Sequence, residues 1–140
     1  MYHLKQGRWD QLQQDAKLIR TQVFIVEQHI PEAEEWDDYD AISQHFVIYD
    51  QDHPIATARL LQNHSVGRVA VVKAYRGQGI GRMIMLEIIA YAQQQARPHL
   101  RLSSQTHAVS FYQQLGFIVQ GDEYDECGIP HIEMTMSIDR

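Results

Sequence analysis

The sequence predicts an α+β fold, a mixed sheet of six to seven strands with helices on both faces. Three observations lead there. Apolar residues recur every third or fourth position near the start, then gather into short runs of strand length. Three such runs follow one another with only brief breaks, as consecutive antiparallel strands do. A long apolar stretch then stands between two further strands, and a strand–helix–strand unit pairs its strands in parallel through a right-handed crossover.

In chain order, YHLKQG (residues 2–7) reads as the first strand. Residues 10–28 read as a helix, because Leu12, Ala16, Ile19, Val23 and Val26 share a face and Asp10 is a natural N-cap. Pro31 and an acidic loop follow. HFVIYD (45–50), a turn at DQDH, PIATARLLQN (54–63) and SVGRVAVV (65–72) form the antiparallel run. After a glycine loop comes a helix that is apolar on most sides, carrying Ile80, Met83, Ile84, Leu86, Ile88, Ile89 and Ala90. Such a helix packs firmly on a sheet. HLRLSS (99–104) is a strand. THAVSFYQQLG (106–116) is a short helix that Thr106 is placed to cap and Gly116 to close. FIVQG (117–121) and HIEMTMSI (131–138) are the last strands.

The length, 140 residues, suits one domain over 1–140 that buries its own core. No run approaches the ~18 apolar residues of a membrane span, and the first residues lack the apolar stretch of a signal peptide. Cys127 is the single cysteine, which excludes an intrachain disulfide and fits a reducing cytoplasm. A net charge of −6 disfavours nucleic acid. The acid-rich residues 31–40 are open to two readings, a solvated loop or an attractor for a cationic substrate such as an amine. The histidines are scattered without metal-ligand spacing, so no metal is expected. Met83, Met85, Met134 and Met136 read as core filler.

The segment YRGQGIGR (75–82) sets three glycines where a helix must begin. A helix start presents unpaired N–H groups and about half a positive charge. Glycines at Gly77, Gly79 and Gly81 let a ligand approach those groups, and Arg76 and Arg82 add charge. Read alone, the loop is either a phosphate cradle or a glycine-rich turn. It is not a Walker loop, because no lysine follows Gly81, and not a dinucleotide fingerprint, because Arg82 stands where the third glycine belongs.

Residues 76–81, RGQGIG, resemble the R/Q-x-x-G-x-G/A signature of the GNAT superfamily of N-acetyltransferases. A second motif, QTHAVSFYQQLGF, matches the family's N-x-x-A-x-x-[FL]-Y-x-x-x-G-F at Ala108, Phe111, Tyr112, Gly116 and Phe117, with Gln105 in place of asparagine. RTQVFIVEQ, WDDYD and ECGIPHIEM are similar to the ElaA/YjcF-like branch. The resemblance implies a GNAT-like sheet splayed between its fourth and fifth strands. It also implies acetyl-CoA as acyl donor, and direct transfer to a primary amine of a small molecule or a protein. Arg76, Gly77, Gln78, Gly79, Ile80, Gly81 and Arg82 would hold the pyrophosphate. Val69, Ala70 and Val71 would pair with the pantetheine arm, and an N–H around Val71 would stabilise the carbonyl oxygen. Gln105 and Phe111 would contribute to cofactor binding, and a homodimer through the last strands is implied by analogy.

By the same resemblance Tyr112 is the proton donor to the leaving thiolate; the other reading is a half-buried tyrosine bonded to the backbone. The base is left between His131, whose ordinary pKa near 6.5 suits the task, and Glu27. On an α-helix Glu27 shares the face of Arg20 seven residues earlier, so an Arg20 salt bridge or helix-end packing is its alternative. Asp37 and Asp40 suit attraction of a cation. His107 reads as a helix-surface residue near the cofactor, and Cys127 as a thiol with no evident catalytic partner but His131. A non-catalytic acyl-CoA-binding regulatory module is the rival to the enzyme.

Overall fold

Five consecutive residues of the second strand, His45 to Tyr49, are buried, which is possible only if both sheet faces are covered. In the computed structural model, which describes residues 1–138, that is the arrangement. The elements are β1 (Tyr2–Gly7), α1 (Trp9–Arg20), α2 (Glu32–Glu35), β2 (Gln44–Asp50), β3 (His53–Leu60), β4 (Ser65–Val71), α3 (Ile80–Gln94), β5 (His99–Gln105), α4 (Val109–Gln114), β6 (Ile118–Glu126) and β7 (Ile129–Ser137). The seven strands form one sheet in the order β1-β2-β3-β4-β5-β7-β6. Phe46 and Ile48 pack with Ile84 and Ile88 of α3, while Val47 and Tyr49 pack with Leu12, Ala16 and Ile19 of α1. Period-two alternation thus serves two cores from one strand.

All neighbours are antiparallel except β4 and β5, which run parallel and pair only at Ser65↔Arg101 and Val66↔Leu102. Beyond those pairs the strands part. A β-bulge lies at the same place. The β3–β4 register shifts between Thr57 and Arg59, and opposite the shift Arg68 takes φ +52. Such bulges bend and twist a strand, here just where β4 leaves β5.

Several local expectations are corrected. The helix starts at Trp9, not after an Asp10 cap: Arg8 is the N-cap, and Gln11 Oε1 accepts its N–H at 2.9 Å. It also does not run on as an α-helix to residue 28. Thr21–Glu27 widens into π-helical turns, with Gln28 N–H bonding Val23 C=O five residues back. That widening turns Val26 out to solvent. Met83 and Leu86 face solvent as well, so α3 has one buried face, and Met83 is not core filler as Met85 and Met134 are. Thr106 opens a 3-10 turn without a side-chain cap. β6 extends to Glu126, because a two-residue turn at Cys127 and Gly128, both at positive φ, closes a hairpin with β7. Every residue of β6 is exposed, so no apolar alternation marked its second half.

The acid-rich loop is divided: Glu32, Glu34 and Asp38 are exposed, as in a solvated loop, while Glu35, Asp37 and Asp40 are tied to arginines. Arg20, 1% exposed, donates to Glu35 at 2.8 Å and to Asp40 at 2.8 Å, sandwiched between Trp9 and Trp36. Arg59 binds Asp37 at 2.7 Å and Asp40 at 2.8 Å. Arg68 reaches Glu35 and Asp37. Three guanidiniums and three carboxylates therefore balance, and they tie α1, α2 and the following loop to β3 and β4. Removing one partner from such a buried set leaves charge uncompensated, which is costly. Arg20→Met should lower the unfolding free energy by about 3–5 kcal/mol, read from urea denaturation with an unchanged slope; a loss below about 1 kcal/mol, the scale of a surface pair, would show the network to be incidental.

Candidate functional site

The parting of β4 from β5 opens a cleft of about 800 Å³. Its floor is the α3 N-terminus and its walls are β4, β5, α4 and the β6–β7 turn. The glycine loop lies at one end. Gly77 and Gly79 have φ +78 and +81, a left-handed backbone that glycine adopts freely. A Cβ on either would meet nothing within 4 Å, so the space above them is open. Gly79 is the N-cap of α3 and offers no side-chain cap, which leaves the first N–H groups of the helix unpaired. Gly81 has a different reason. A Cβ there would stand 3.3 Å from Phe111 Cζ, so this glycine lets α3 pack against α4. Ile80 is buried in the core, and Arg82 lies exposed in the first turn without an ion-pair partner among the described residues. Gln78 alone of the loop lies off the cleft, its side chain accepting the Tyr2 hydroxyl at 2.8 Å.

Val69, Ala70 and Val71 line the β4 wall. Val72 N–H bonds Ile55 C=O in β3. Strand alternation therefore turns the Val71 N–H and C=O the other way, into the split. Arg76 Nε meets that carbonyl at 2.9 Å. The Arg76 guanidinium also holds Glu27 by two bonds of 2.6 Å. Glu27 thus pairs with Arg76 and not with Arg20, because the π-helical widening rotates it off the Arg20 face and into the cleft. Its carboxyl is held below the usual range, chiefly by the hydrogen bonds from Arg76.

Tyr112 and His131 both face the cleft. Burial pushes the Tyr112 hydroxyl up to about 12. The hydroxyl has no hydrogen-bond partner among the described residues, so it is not a backbone-bonded structural tyrosine. Phe111 and Phe117 hold its ring edge-on. His131 sits in β7 with Nδ1 2.7 Å from Ile129 C=O. A carbonyl only accepts, so the proton is on Nδ1, and in the neutral ring Nε2 keeps its lone pair. Gln105 lines the cleft but is occupied on both ends, by Gln28 Oε1 at 3.0 Å and His107 Nε2 at 2.7 Å. Asp37 and Asp40 are bound to arginines of the network and lie off the cleft. Cys127 reaches the cleft mouth. Its thiol is pushed up to about 11, chiefly by its hydrogen bond to Glu34, which works against a nucleophilic thiolate.

Sequence reading missed Arg68, Gln28 and Ser103, which also line the cleft. No motif marks Arg68 or Ser103, and Gln28 only ends the RTQVFIVEQ stretch; the strained φ of Arg68 sets it apart, and that is invisible in a sequence.

The model of the acetyltransferase (GNAT) domain matches residues 10–138. The chain is 35% identical to the uncharacterized N-acetyltransferase YjcF of Bacillus subtilis (strain 168), covering 86% of this chain and 89% of that protein. It is 33% identical to protein ElaA of Escherichia coli (strain K12), covering 86% and 84%. The crystal structure of an acyl-CoA N-acyltransferase from Pseudomonas aeruginosa superposes with a TM-score of 0.89 at 28% identity, covering 98% of this chain and 100% of that one.

The pairing of Glu27 with Arg76 has a measurable signature. The folded carboxyl is depressed, so in a side-chain NMR titration Glu27 should lose its proton below the ordinary glutamate value of about 4.3. Arg76→Gln should move that titration back up; a midpoint indifferent to the substitution would mean that the two groups do not meet in solution.

Proposed function

The chain belongs to the GNAT superfamily of acetyltransferases, in its ElaA/YjcF-like branch, and from that premise we propose that it moves an acetyl group from acetyl-CoA to a primary amine held beside the donor. The observation that carries this reading is the continuity of an open glycine cradle with the split between β4 and β5. The cradle fits a diphosphate: unpaired N–H groups at the start of α3, space above Gly77 and Gly79, and the free charge of Arg82. An extended pantetheine arm carries amides that suit the unpaired edge of β4 along Val69, Ala70 and Val71.

Transfer forms a bond between the amine nitrogen and the thioester carbonyl carbon and breaks the bond from that carbon to sulfur. His131 Nε2 takes the proton that the ammonium must lose. The Val71 N–H stabilises the carbonyl oxygen as it gains charge. Tyr112 gives its proton to the thiolate and regains one from the nitrogen, which sheds its second proton as the amide forms; its raised pKa keeps the proton in place until sulfur needs it. Glu27 is the weaker base, since its carboxylate is already engaged by Arg76. The single cysteine fits a reducing cytoplasm. A homodimer, if formed through the last strands, would pair along the exposed edge β6.

Incubation with acetyl-CoA and an amine panel, following free CoA with a thiol reagent, tests the activity. Tight CoA binding without turnover of any amine would favour a non-catalytic regulatory module. Tyr112→Phe should reduce kcat by about a hundredfold with little change in CoA affinity. That ratio of wild type to variant should hold from about pH 7 to about pH 10, because the folded hydroxyl stays protonated above its ordinary value of about 10. Wild-type turnover in Tyr112→Phe would remove the acid. Gly79→Val puts a branched side chain at positive φ and into the open space, and should weaken CoA binding by about tenfold or more; equal affinity would remove the cradle.

A further inference from the structure

Among the described residues two neighbouring guanidinium nitrogens have no partner, Arg59 Nε, buried beside the cleft residue Gly67, and Arg68 Nη1, on a side chain that lines the cleft. Arg59 is 5% exposed, and its Nε is the buried side-chain polar atom left without a hydrogen bond among the described residues. A buried donor without an acceptor calls for an explanation. Arg59 stands opposite Gly67 in the β3–β4 ladder, and a Cβ on Gly67 would lie 3.9 Å from that Nε. Gly67 lines the cleft, so the place of its missing side chain adjoins both the cleft and the orphan N–H.

Arg68 follows. It spends Nε and Nη2 on Glu35 and Asp37 and leaves Nη1 free. Its side chain is 23% exposed and lines the cleft. Cys127, on the β6–β7 turn, lines the same cleft. Along β4 these residues lie beyond Val69, away from the cradle. The carboxylates nearby are engaged: Glu35, Asp37 and Asp40 by the arginine network, Glu27 by Arg76. Glu126, at the end of β6, and Glu34, which accepts from the Cys127 thiol, are exposed carboxylates at this end. Over Gly67 itself the unused hydrogen-bonding capacity is donor capacity, the reverse of the cationic preference that the acid-rich sequence suggests.

We infer that the acceptor amine carries a carboxylate, taken by Arg68 Nη1 and Arg59 Nε over Gly67, with its amino group turned toward His131. Two donors from two guanidiniums match the two oxygens of one carboxylate. This assignment rests on acyl transfer to an amine in the same cleft and names the class of that amine as amino acids.

The test uses matched pairs, each an amino acid and the amine it yields on decarboxylation: lysine and cadaverine, phenylalanine and phenethylamine, β-alanine and ethylamine. With acetyl-CoA and thiol detection, the acid of each reacting pair should have a kcat/KM at least about tenfold higher. Arg68→Met should cut the acid's kcat/KM about tenfold more than its partner's, and Arg68→Lys should restore part of the difference. Gly67→Ala adds a methyl at ordinary contact distance from Arg59, so it should fold, and it should raise KM for the acid more than it lowers kcat. CoA affinity checks that each variant is folded. Equal rates within pairs, equal losses in both members for Arg68→Met, or a preference for phosphoethanolamine over β-alanine would each overturn the carboxylate assignment while leaving the acetyltransferase intact. Should no pair react, N-acetyl-β-alanine and N-ethylacetamide are titrated onto the CoA-bound protein by NMR, and an absence of preference for the acid overturns it. Failure to bind CoA at all sinks the acetyltransferase reading itself.

Discussion

After Val66 and Leu102, β4 and β5 stop exchanging hydrogen bonds, and main-chain donors and acceptors in the middle of a seven-stranded sheet must find other partners. The nearby features answer to that constraint. Arg76 folds back to take the Val71 carbonyl. The bulge at Arg68 bends β4 away from its neighbour and fixes where the split begins. The start of α3, with Gly79 at positive φ, lies at the foot of the split, so its unpaired N–H groups and those of β4 face one continuous space. In the proposed reading an acyl-CoA would answer the same need, with phosphates for the helix end and amides for the strand.

Charge is arranged to tie together the elements around that space. The chain carries a net −6, yet half of the acids in its densest run, Glu35, Asp37 and Asp40, are turned onto arginines. Arg20, Arg59 and Arg68 gather Glu35, Asp37 and Asp40 into a balanced set that fastens the loop after α2 to the strands bordering the cleft. Such a set contributes little net attraction once desolvation is counted, but it fixes geometry, since any misplacement strands a charge. Glu27 and Arg76 repeat the device nearer the surface and join the π-helical turn to the glycine loop.

Much of this was legible in the residues. Six of the seven strands were read to within three residues of their ends, because apolar runs and turn residues mark them: HFVIYD for β2 and HLRLSS for β5. Gly77 and Gly79 were read as a loop that needs no Cβ, and both occupy positive φ with open space above. Tyr112 and His131 were named from a motif and a strand position, and both face the cleft. What escaped was whatever depends on phase or distant partners. Glu27 was assigned to the Arg20 face by α-helical counting, which fails when the turn widens. The acidic second half of β6 has no apolar alternation, since nothing covers either side of it. Arg68 looked like any strand arginine.

The sequence by itself determined the local conformations: strand and helix periods, the glycine entry to α3, the Gly116 stop after α4. Those follow from steric rules acting over a few residues, which any sequence displays. Tertiary structure alone decided which charges meet. Arg76 finds Glu27 at a separation of 49 residues and Arg68 finds Glu35 at 33. A carboxylate's character as base, attractor or internal tie depends on which guanidinium lies within a few ångströms of it. That distance is set by how α1, the loop after α2 and β4 pack, and no local pattern encodes it.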